Sequence, residues 1–369
     1  MVTTTEYFNP ITTTKRATSE IKNRALVRGW LYFTALVLLC LVVVGGATRL
    51  TDSGLSITEW KPIHGMIPPL SAADWQEELE KYRQIPEYQL QNKGMSMSEF
   101  QFIYWWEWAH RFLARGLGLV FALPLAFFWA TGRLEPRIKK PLLGLLALGG
   151  LQGFIGWWMV SSGLSERVDV SHYRLATHLC MAALILSGII WVARSIAPHT
   201  PELKPTRYSA HAAGFVAVLV FLQIYLGALV AGLDAGWVYN EWPRMGEGFF
   251  PAVMWEPALG WHNIIENPAI VQFVHRTGAY ILLSVALLHI VGAWVYAPRS
   301  THAWRALLLF GLILSQAGVG IMTLVLEVPL NWALIHQAMA FLILAFAVAH
   351  WRGLVGPLGL QDGRAHTLQ

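Results

Sequence analysis

Two short stretches of this chain decide how the rest is interpreted: Trp106-Glu107-Trp108-Ala109-His110-Arg111 and Val271-Gln272-Phe273-Val274-His275-Arg276. Each places a His-Arg pair near the start of an apolar run that is long enough to cross a bilayer. Two later apolar runs also carry a histidine near their start, His178 and His336. An ionisable side chain inside a membrane segment indicates function, because the loss of its hydration must be compensated. The four histidines predict two bis-histidine haem sites in a helical bundle, with core histidines bonded to carbonyls as the alternative.

The composition is that of a membrane protein. Hydrophobic residues make up 55% of the 369 residues and charged residues 13%, whereas a soluble domain carries about 25% charged residues. Apolar runs of about 20 residues each predict an all-α membrane protein with eight transmembrane helices. The predicted spans are 27–47, 104–130, 141–161, 174–194, 208–231, 270–296, 304–326 and 332–351. The polar start of the chain has no short apolar core with a cleavage site, so no removable signal peptide is expected.

Basic residues in the short loops predict the orientation. They precede the first span and fall between spans two and three, four and five, and six and seven, which is always the same side of an eight-span chain. That side is expected to be cytoplasmic, so both termini lie in the cytoplasm. The membrane is expected to be a bacterial plasma membrane rather than a mitochondrial inner membrane. The net charge of +5 follows from this topology and gives no nucleic-acid signal. The four histidines then lie at similar depth near the outer face.

The chain also shows an internal duplication. Residues that match in order between the halves are Gly45, Asp52, Gly54 and Trp60 with Gly227, Asp234, Gly236 and Trp242, and Gln152 and Gly156 with Gln316 and Gly320. This order predicts two pseudo-symmetric four-helix bundles with one haem-sized pocket each. We divide the chain into an N-terminal segment (1–26), an N-terminal half with an outer loop at 48–103 (27–194), a linker (195–207), a C-terminal half (208–351) and a tail (352–369).

The two halves differ beside the proposed iron ligands. Glu107 lies one helical turn before His110, while the matching residue before His275 is Gln272, which cannot ionise. A carboxylate near a macrocycle can move protons or position water, so Glu107 is the catalytic candidate. It could instead simply pair with Arg111 or Arg115. Arg111 and Arg276 could contact haem propionates or extend toward lipid headgroups.

At these residues the sequence resembles the haem A synthases. The most specific stretch runs from Gly45 to Pro62, and the resemblance extends from about Arg24 to His350. It implies that the C8 methyl of haem O is oxidised through a hydroxymethyl intermediate to the formyl group of haem A, the cofactor of terminal oxidases. It implies haem O, with Glu107 as the catalytic residue, between His110 and His178 in the N-terminal half, and a resident haem b between His275 and His336. We assign Arg111 to the haem O site and Arg276 to the haem b site.

The resemblance suggests partners as well: haem O as substrate, with haem O synthase and an electron acceptor in the membrane. A homo-oligomer and a monomer are both compatible with the sequence, and no nucleic-acid partner is expected. The only cysteines, Cys40 and Cys180, fall within apolar spans, so the sequence resembles the branch that lacks cysteine pairs in the outer loops. Neither an outer-loop disulfide nor a Cys-x-x-Cys-His haem attachment is possible.

A second class of function fits some of the same residues. His289 and His350 each lie fourteen residues after a proposed ligand, which is about 21 Å deeper on nearly the same helix face. That spacing resembles cytochrome b subunits, so a di- or tri-haem electron-transfer protein is the alternative. We interpret His289 and His350 as ordinary polar residues, and we assign no role to the remaining histidines, His302 among them.

Overall fold

The computed structural model describes residues 10–60, 64–165, 167–198, 207–251 and 255–359. These ranges form eleven α-helices and contain no β-strand. The helices are α1 (Pro10–Leu50), α2 (Ala72–Tyr82), α3 (Pro86–Leu90), α4 (Met97–Ala130), α5 (Pro136–Val160), α6 (His172–Ser195), α7 (Arg207–Gly232), α8 (Asn263–Glu266), α9 (Pro268–Tyr296), α10 (Thr301–Val325) and α11 (Leu330–Val355). The N-terminal segment, the linker and the tail predicted from the sequence lie partly outside the described residues.

Eight helices are long and apolar enough to cross a membrane: α1, α4, α5, α6, α7, α9, α10 and α11. The predicted all-α fold with eight spans is therefore confirmed. Two helices begin well before their predicted spans: α1 by seventeen residues, at Pro10, and α4 by seven residues, at Met97. The Ser96 hydroxyl accepts a hydrogen bond from the Glu99 backbone N–H, and the Glu99 carboxylate accepts one from the Ser96 backbone N–H. This capping box starts the helix on polar residues that hydropathy alone leaves outside the span.

Helix contacts repeat from one half to the other. In the N-terminal half α1 packs on α4 and α6, and α5 packs on α4 and α6. In the C-terminal half α7 packs on α9 and α11, and α10 packs on α9 and α11. Between the halves, α6 contacts α7 and α11, and α1 contacts α11. A single apolar cluster runs through both halves, so they form one packed body.

The loops after α1 and α7 share an unusual backbone feature. Asp52 and Asp234, which the sequence pairs, both adopt left-handed backbone angles, with φ of 47° and 49°. Arg49, at the end of α1, donates to both of these carboxylates. The two repeats are thus joined by ionic contacts at the end of the bundle where these loops lie.

The segment between α1 and α4 folds into α2 and α3 and packs on the start of α4. Tyr82 of α2 and Phe100 of α4 are fully buried against each other, and Leu55 and Val170 belong to the same apolar cluster. Trp75 contacts Tyr104 edge to face, with ring centroids 5.0 Å apart. The segment therefore covers the end of the N-terminal half at which His110 lies.

Candidate functional site: four histidines between paired helices

Each of the four histidines packs against a glycine of a neighbouring helix. A methyl group at that glycine would come within 2.7 to 3.2 Å of the ring, so a larger residue would displace the imidazole. The pairs are His110 with Gly45, His178 with Gly156, His275 with Gly227 and His336 with Gly320. The rings lie deep among the helices yet retain accessible surface, as expected for side chains that line a cavity. The matched glycines of the sequence repeat therefore have one function, which is to make room for an imidazole.

The ring separation in the C-terminal half suits an iron ion between the two ligands. The ring centroids of His275 and His336 lie 6.4 Å apart, with the ring planes at 79°. Two metal–nitrogen bonds of about 2.0 Å, plus about 1.1 Å from each nitrogen to its ring centre, require a separation of about 6.2 Å. These residues therefore fit a bis-histidine haem. In the N-terminal half, His110 and His178 are near enough for a charge on one ring to act on the other.

Three of the four histidines are held by a glutamine one turn before the contacting glycine. Gln223 donates to the carbonyl of His275 at 2.8 Å, and Gln316 does the same for His336, with each amide nitrogen 3.1 Å from Nδ1 of that ring. Gln152 donates to the carbonyl of His178 at 3.1 Å. The equivalent residue beside His110 is Leu41. His110 is thus the one ligand candidate without a glutamine partner at this position.

Glu107 is buried in a dense hydrogen-bond network, with only 2% of its surface exposed. One carboxylate oxygen accepts from the Ser56 hydroxyl and from the Ile57 amide, both at 2.7 Å. The other oxygen accepts from Arg111 at 2.7 Å. Arg111 also donates to the carbonyls of Ile57 and Glu59. The pairing with Arg111 that the sequence suggested is present, and the loop after α1 supplies two further donors.

The C-terminal half repeats this network with a neutral amide. Gln272 donates to the carbonyls of Ala235 and Tyr239 at 2.9 and 3.1 Å. Arg276 donates to the carbonyls of Tyr239 and Glu241, which are the sequence equivalents of Ile57 and Glu59. Both arginines thus hold the loop that follows the first helix of their half. Contact of either arginine with a haem propionate stays a prediction.

A second histidine cluster lies at the opposite end of the C-terminal half. His289 and His350, which we expected to be ordinary polar residues, come together with His302, which we left without a role. The Nε2 atoms of His289 and His350 are only 3.0 Å apart. The positions of the three histidines in the sequence could have predicted this cluster, because an eight-span topology places these three helix ends on one side of the membrane.

The two cysteines are free and lie on α1 and α6. Cys40 is exposed and Cys180 half-buried, and neither is in an outer loop. Both thiols therefore lie within helices that are long and apolar enough to cross a membrane.

The eight candidate spans and the four histidines packed against matched glycines define a helical membrane protein with two paired-imidazole sites. A comparison with protein-family models matches residues 28–348 to COX15-CtaA, described as "Cytochrome oxidase assembly protein". The chain belongs to this family.

Similar curated proteins are named "Heme A synthase". That of Chelativorans sp. (strain BNC1) is 60% identical over 337 residues, which cover 91% of this chain and 92% of the relative. That of Rhizobium meliloti (strain 1021) is 57% identical over 335 residues, covering 91% of both. That of Rhizobium etli (strain CIAT 652) is 56% identical over 350 residues, covering 94% and 95%. These relatives match the chain over nearly its whole length.

Proposed function

We propose that this chain is a haem A synthase of the bacterial plasma membrane. In this proposal it oxidises the C8 methyl group of haem O, through a hydroxymethyl intermediate, to the formyl group of haem A for cytochrome oxidase. The observation that carries the proposal is the difference between Glu107 and Gln272, which stand at the same place in the two halves beside arginines with matching contacts. A duplicated haem-binding frame in which only one copy holds a carboxylate suits one reacting haem and one resident haem.

We assign the substrate to the N-terminal half. His110 and His178 hold haem O from opposite faces, Arg111 lies at its edge, and α2 and α3 cover that end of the bundle. His110 has Leu41 where the other three ligand candidates have a glutamine. Partners outside the first coordination shell fix ligand orientation and strengthen binding. A ligand without such a partner suits a haem that must leave as product.

We assign the resident haem b to the C-terminal half. His275 and His336 are its ligands and Arg276 lies beside it. When bound by two imidazoles, a haem b can store an electron and pass it on. Gln223 and Gln316 hold the two ligands in place through their carbonyls and ring nitrogens. Gln272 is neutral, so this half lacks the group that the substrate chemistry requires.

Glu107 is proposed to receive a proton from the substrate side of the N-terminal pocket. Its carboxylate is fixed by Ser56, Ile57 and Arg111, so it keeps one orientation without spending free energy on reorganisation during the reaction. Positioned general bases contribute about 10²–10⁴-fold to rate. Arg111 balances the buried negative charge, as a buried carboxylate requires.

The remaining parts of the proposal concern arrangement and partners. The matched helix contacts and the matched loop geometry support two pseudo-symmetric four-helix bundles. The basic residues of the short loops support an orientation in which both termini are cytoplasmic and all four ligands lie near the outer face. Haem O synthase and an electron acceptor in the membrane are the expected partners.

The alternative is an electron-transfer cytochrome b with a third haem between His289 and His350. Two axial nitrogens on one iron lie about 4 Å apart. The 3.0 Å separation of the two Nε2 atoms is shorter, and the ring centroids are 5.3 Å apart against 6.4 Å for His275 and His336. This pair therefore does not present the spacing of a haem site.

Pigment analysis tests the proposal. The full-length protein is purified from cells that also make haem O, and its haems are extracted with acidified solvent and separated by chromatography. We expect haem B together with haem O, its hydroxymethyl form or haem A. Haem B alone, from cells in which free haem O is detected, would contradict a synthase and support the electron-transfer alternative.

A further inference from the structure

Three buried histidines meet at the end of the C-terminal half that lies away from His275 and His336. His289 comes from the end region of α9, His302 from the first turn of α10 and His350 from the end region of α11. Their exposed fractions are 7%, 6% and 2%. One ring nitrogen of each lies within 4.8 Å of those of the other two. Three separate segments therefore bring imidazoles to one buried point.

The contacts among the rings are close. His302 stacks on His350 with ring centroids 4.9 Å apart and planes 9° from parallel. The ring centroids of His289 and His302 are 5.5 Å apart. The Nε2 atoms of His289 and His350 face each other at 3.0 Å, so only one of them carries a proton there and the other presents a lone pair.

The internal repeat shows that packing does not require these histidines. Their counterparts in the N-terminal half are Pro124, Ile138 and Val192. Ile138 and Val192 are buried in the main apolar cluster. The same place in the fold is thus filled by apolar side chains in one half and by three imidazoles in the other. Replacing hydrocarbon by buried polar rings costs stability, so a compensating interaction is expected.

We propose that His289, His302 and His350 bind a divalent first-row transition-metal ion, of the class that Zn²⁺ and Cu²⁺ represent. The group contains imidazoles and no carboxylate or thiolate, a set that suits these ions and not Mg²⁺ or Ca²⁺. Tetrahedral zinc with bonds of about 2.0 Å holds its nitrogens about 3.3 Å apart. The Nε2 atoms of His289 and His350 are 3.0 Å apart and need to move apart only slightly.

The site has an open side. His289 and His302 line a pocket of about 380 Å³ that also contacts Ser209 and His211 of α7. Three protein ligands therefore leave a fourth position toward this pocket for water or a small anion. This site is independent of the haem pockets and of the proposed function.

Zinc binding by the full-length, haem-loaded protein tests the proposal. The protein is treated with a chelator, titrated with Zn²⁺ and analysed for metal by mass spectrometry. We expect one tightly bound equivalent, with three imidazole nitrogens at about 2.0 Å in the zinc X-ray absorption spectrum. His302→Ile and His350→Val, which introduce the counterpart residues of the other half, should each weaken binding at least about 100-fold.

Two matched controls locate the metal. His211→Ala removes an exposed histidine of the same pocket and should leave the affinity unchanged. His178→Ala removes a competing imidazole of the N-terminal pocket and should also retain the equivalent. The absorption band of the retained haem b shows whether each variant is folded. The proposal is overturned if the unaltered protein binds no zinc, if its spectrum shows fewer than three imidazoles, or if His178→Ala removes the equivalent.

Discussion

Glu107 and Gln272 occupy the same position in two copies of one hydrogen-bond frame. In both copies an arginine one turn later holds the carbonyls of the loop that follows the first helix. At this position the halves differ in charge and in hydrogen bonding, because Glu107 only accepts hydrogen bonds whereas Gln272 donates to two loop carbonyls. Gln272 shows that a neutral amide fits beside the arginine, so Glu107→Gln removes the charge at nearly constant side-chain size.

We expect Glu107→Gln to reduce haem A formation at least about 100-fold while haem B stays bound, because the group that accepts the proton is lost. Haem extracted from cells producing haem O provides the measurement. Glu87→Gln, which replaces another buried carboxyl group between α1 and α4 by an amide, is the control and should retain product. Near-normal haem A in the Glu107 variant would remove this residue from the chemistry.

The glutamines beside the ligands give a second residue-scale prediction. Gln316→Leu should weaken retention of haem B about 10–100-fold, because an outer-shell partner of His336 is lost. The haem B to protein ratio after purification, and after competition with a haem-binding apoprotein, measures this. Gln152→Leu changes the matching residue of the other half and should leave haem B retention unchanged. Equal loss of haem B from both variants would contradict the assignment.

At this scale the sequence predicted some contacts and not others. The pairing of Glu107 with Arg111 follows from helical spacing, and the matching of Gln152 with Gln316 from the repeat. The contacts of Glu107 with Ser56 and Ile57 depend on the fold of a long loop, which periodicity does not determine. Gln223 escaped notice because its counterpart is Leu41, so the repeat offered no match.

The eight spans themselves were predictable, because length and hydropathy are sufficient for membrane helices. The helices α2 and α3, which cover the end of the N-terminal half, were only partly predictable from the sequence. Their position depends on aromatic packing among Trp75, Tyr82, Phe100 and Tyr104, which has no simple sequence period. The histidine cluster at the opposite end also escaped, because it needs three helix ends to converge.

The short helix α3 contains a buried titratable residue, Glu87, whose effect on stability can be tested. Burial raises the pKa of Glu87 to about 8, and its nearest hydrogen-bond partner is the Tyr82 hydroxyl. The folded state therefore holds a proton that the unfolded chain releases near pH 4.5, so local stability decreases as pH rises from there to about 8.

We expect the α2–α3 region to lose on the order of 4 kcal/mol of local stability by pH 8 through this group. Hydrogen exchange of that segment, corrected for the intrinsic pH dependence, measures it. Glu87→Gln should flatten the dependence and increase protection at pH 8, because the amide carries no charge to desolvate. Protection that rises with pH in the unaltered protein would contradict the assignment.

The whole molecule consists of two copies of the same four-helix arrangement. The matched glycine–histidine pairs, the left-handed Asp52 and Asp234 and the repeated helix contacts all follow from the order of residues that the sequence displays. We propose that the two copies have different tasks, with substrate haem in the N-terminal half and retained haem B in the C-terminal half. Sequence repeats alone could predict the frame, whereas the division of tasks depends on single substitutions within it.

Haem content and product of His178→Ala beside His336→Ala test this division most directly. Both proteins are purified from cells that make haem O, and haem B, haem O and haem A are quantified per chain. We predict that His178→Ala retains haem B and forms no haem A, since only the substrate pocket loses a ligand. His336→Ala should lose haem B. Loss of haem B from His178→Ala, with haem B retained in His336→Ala, would contradict the account.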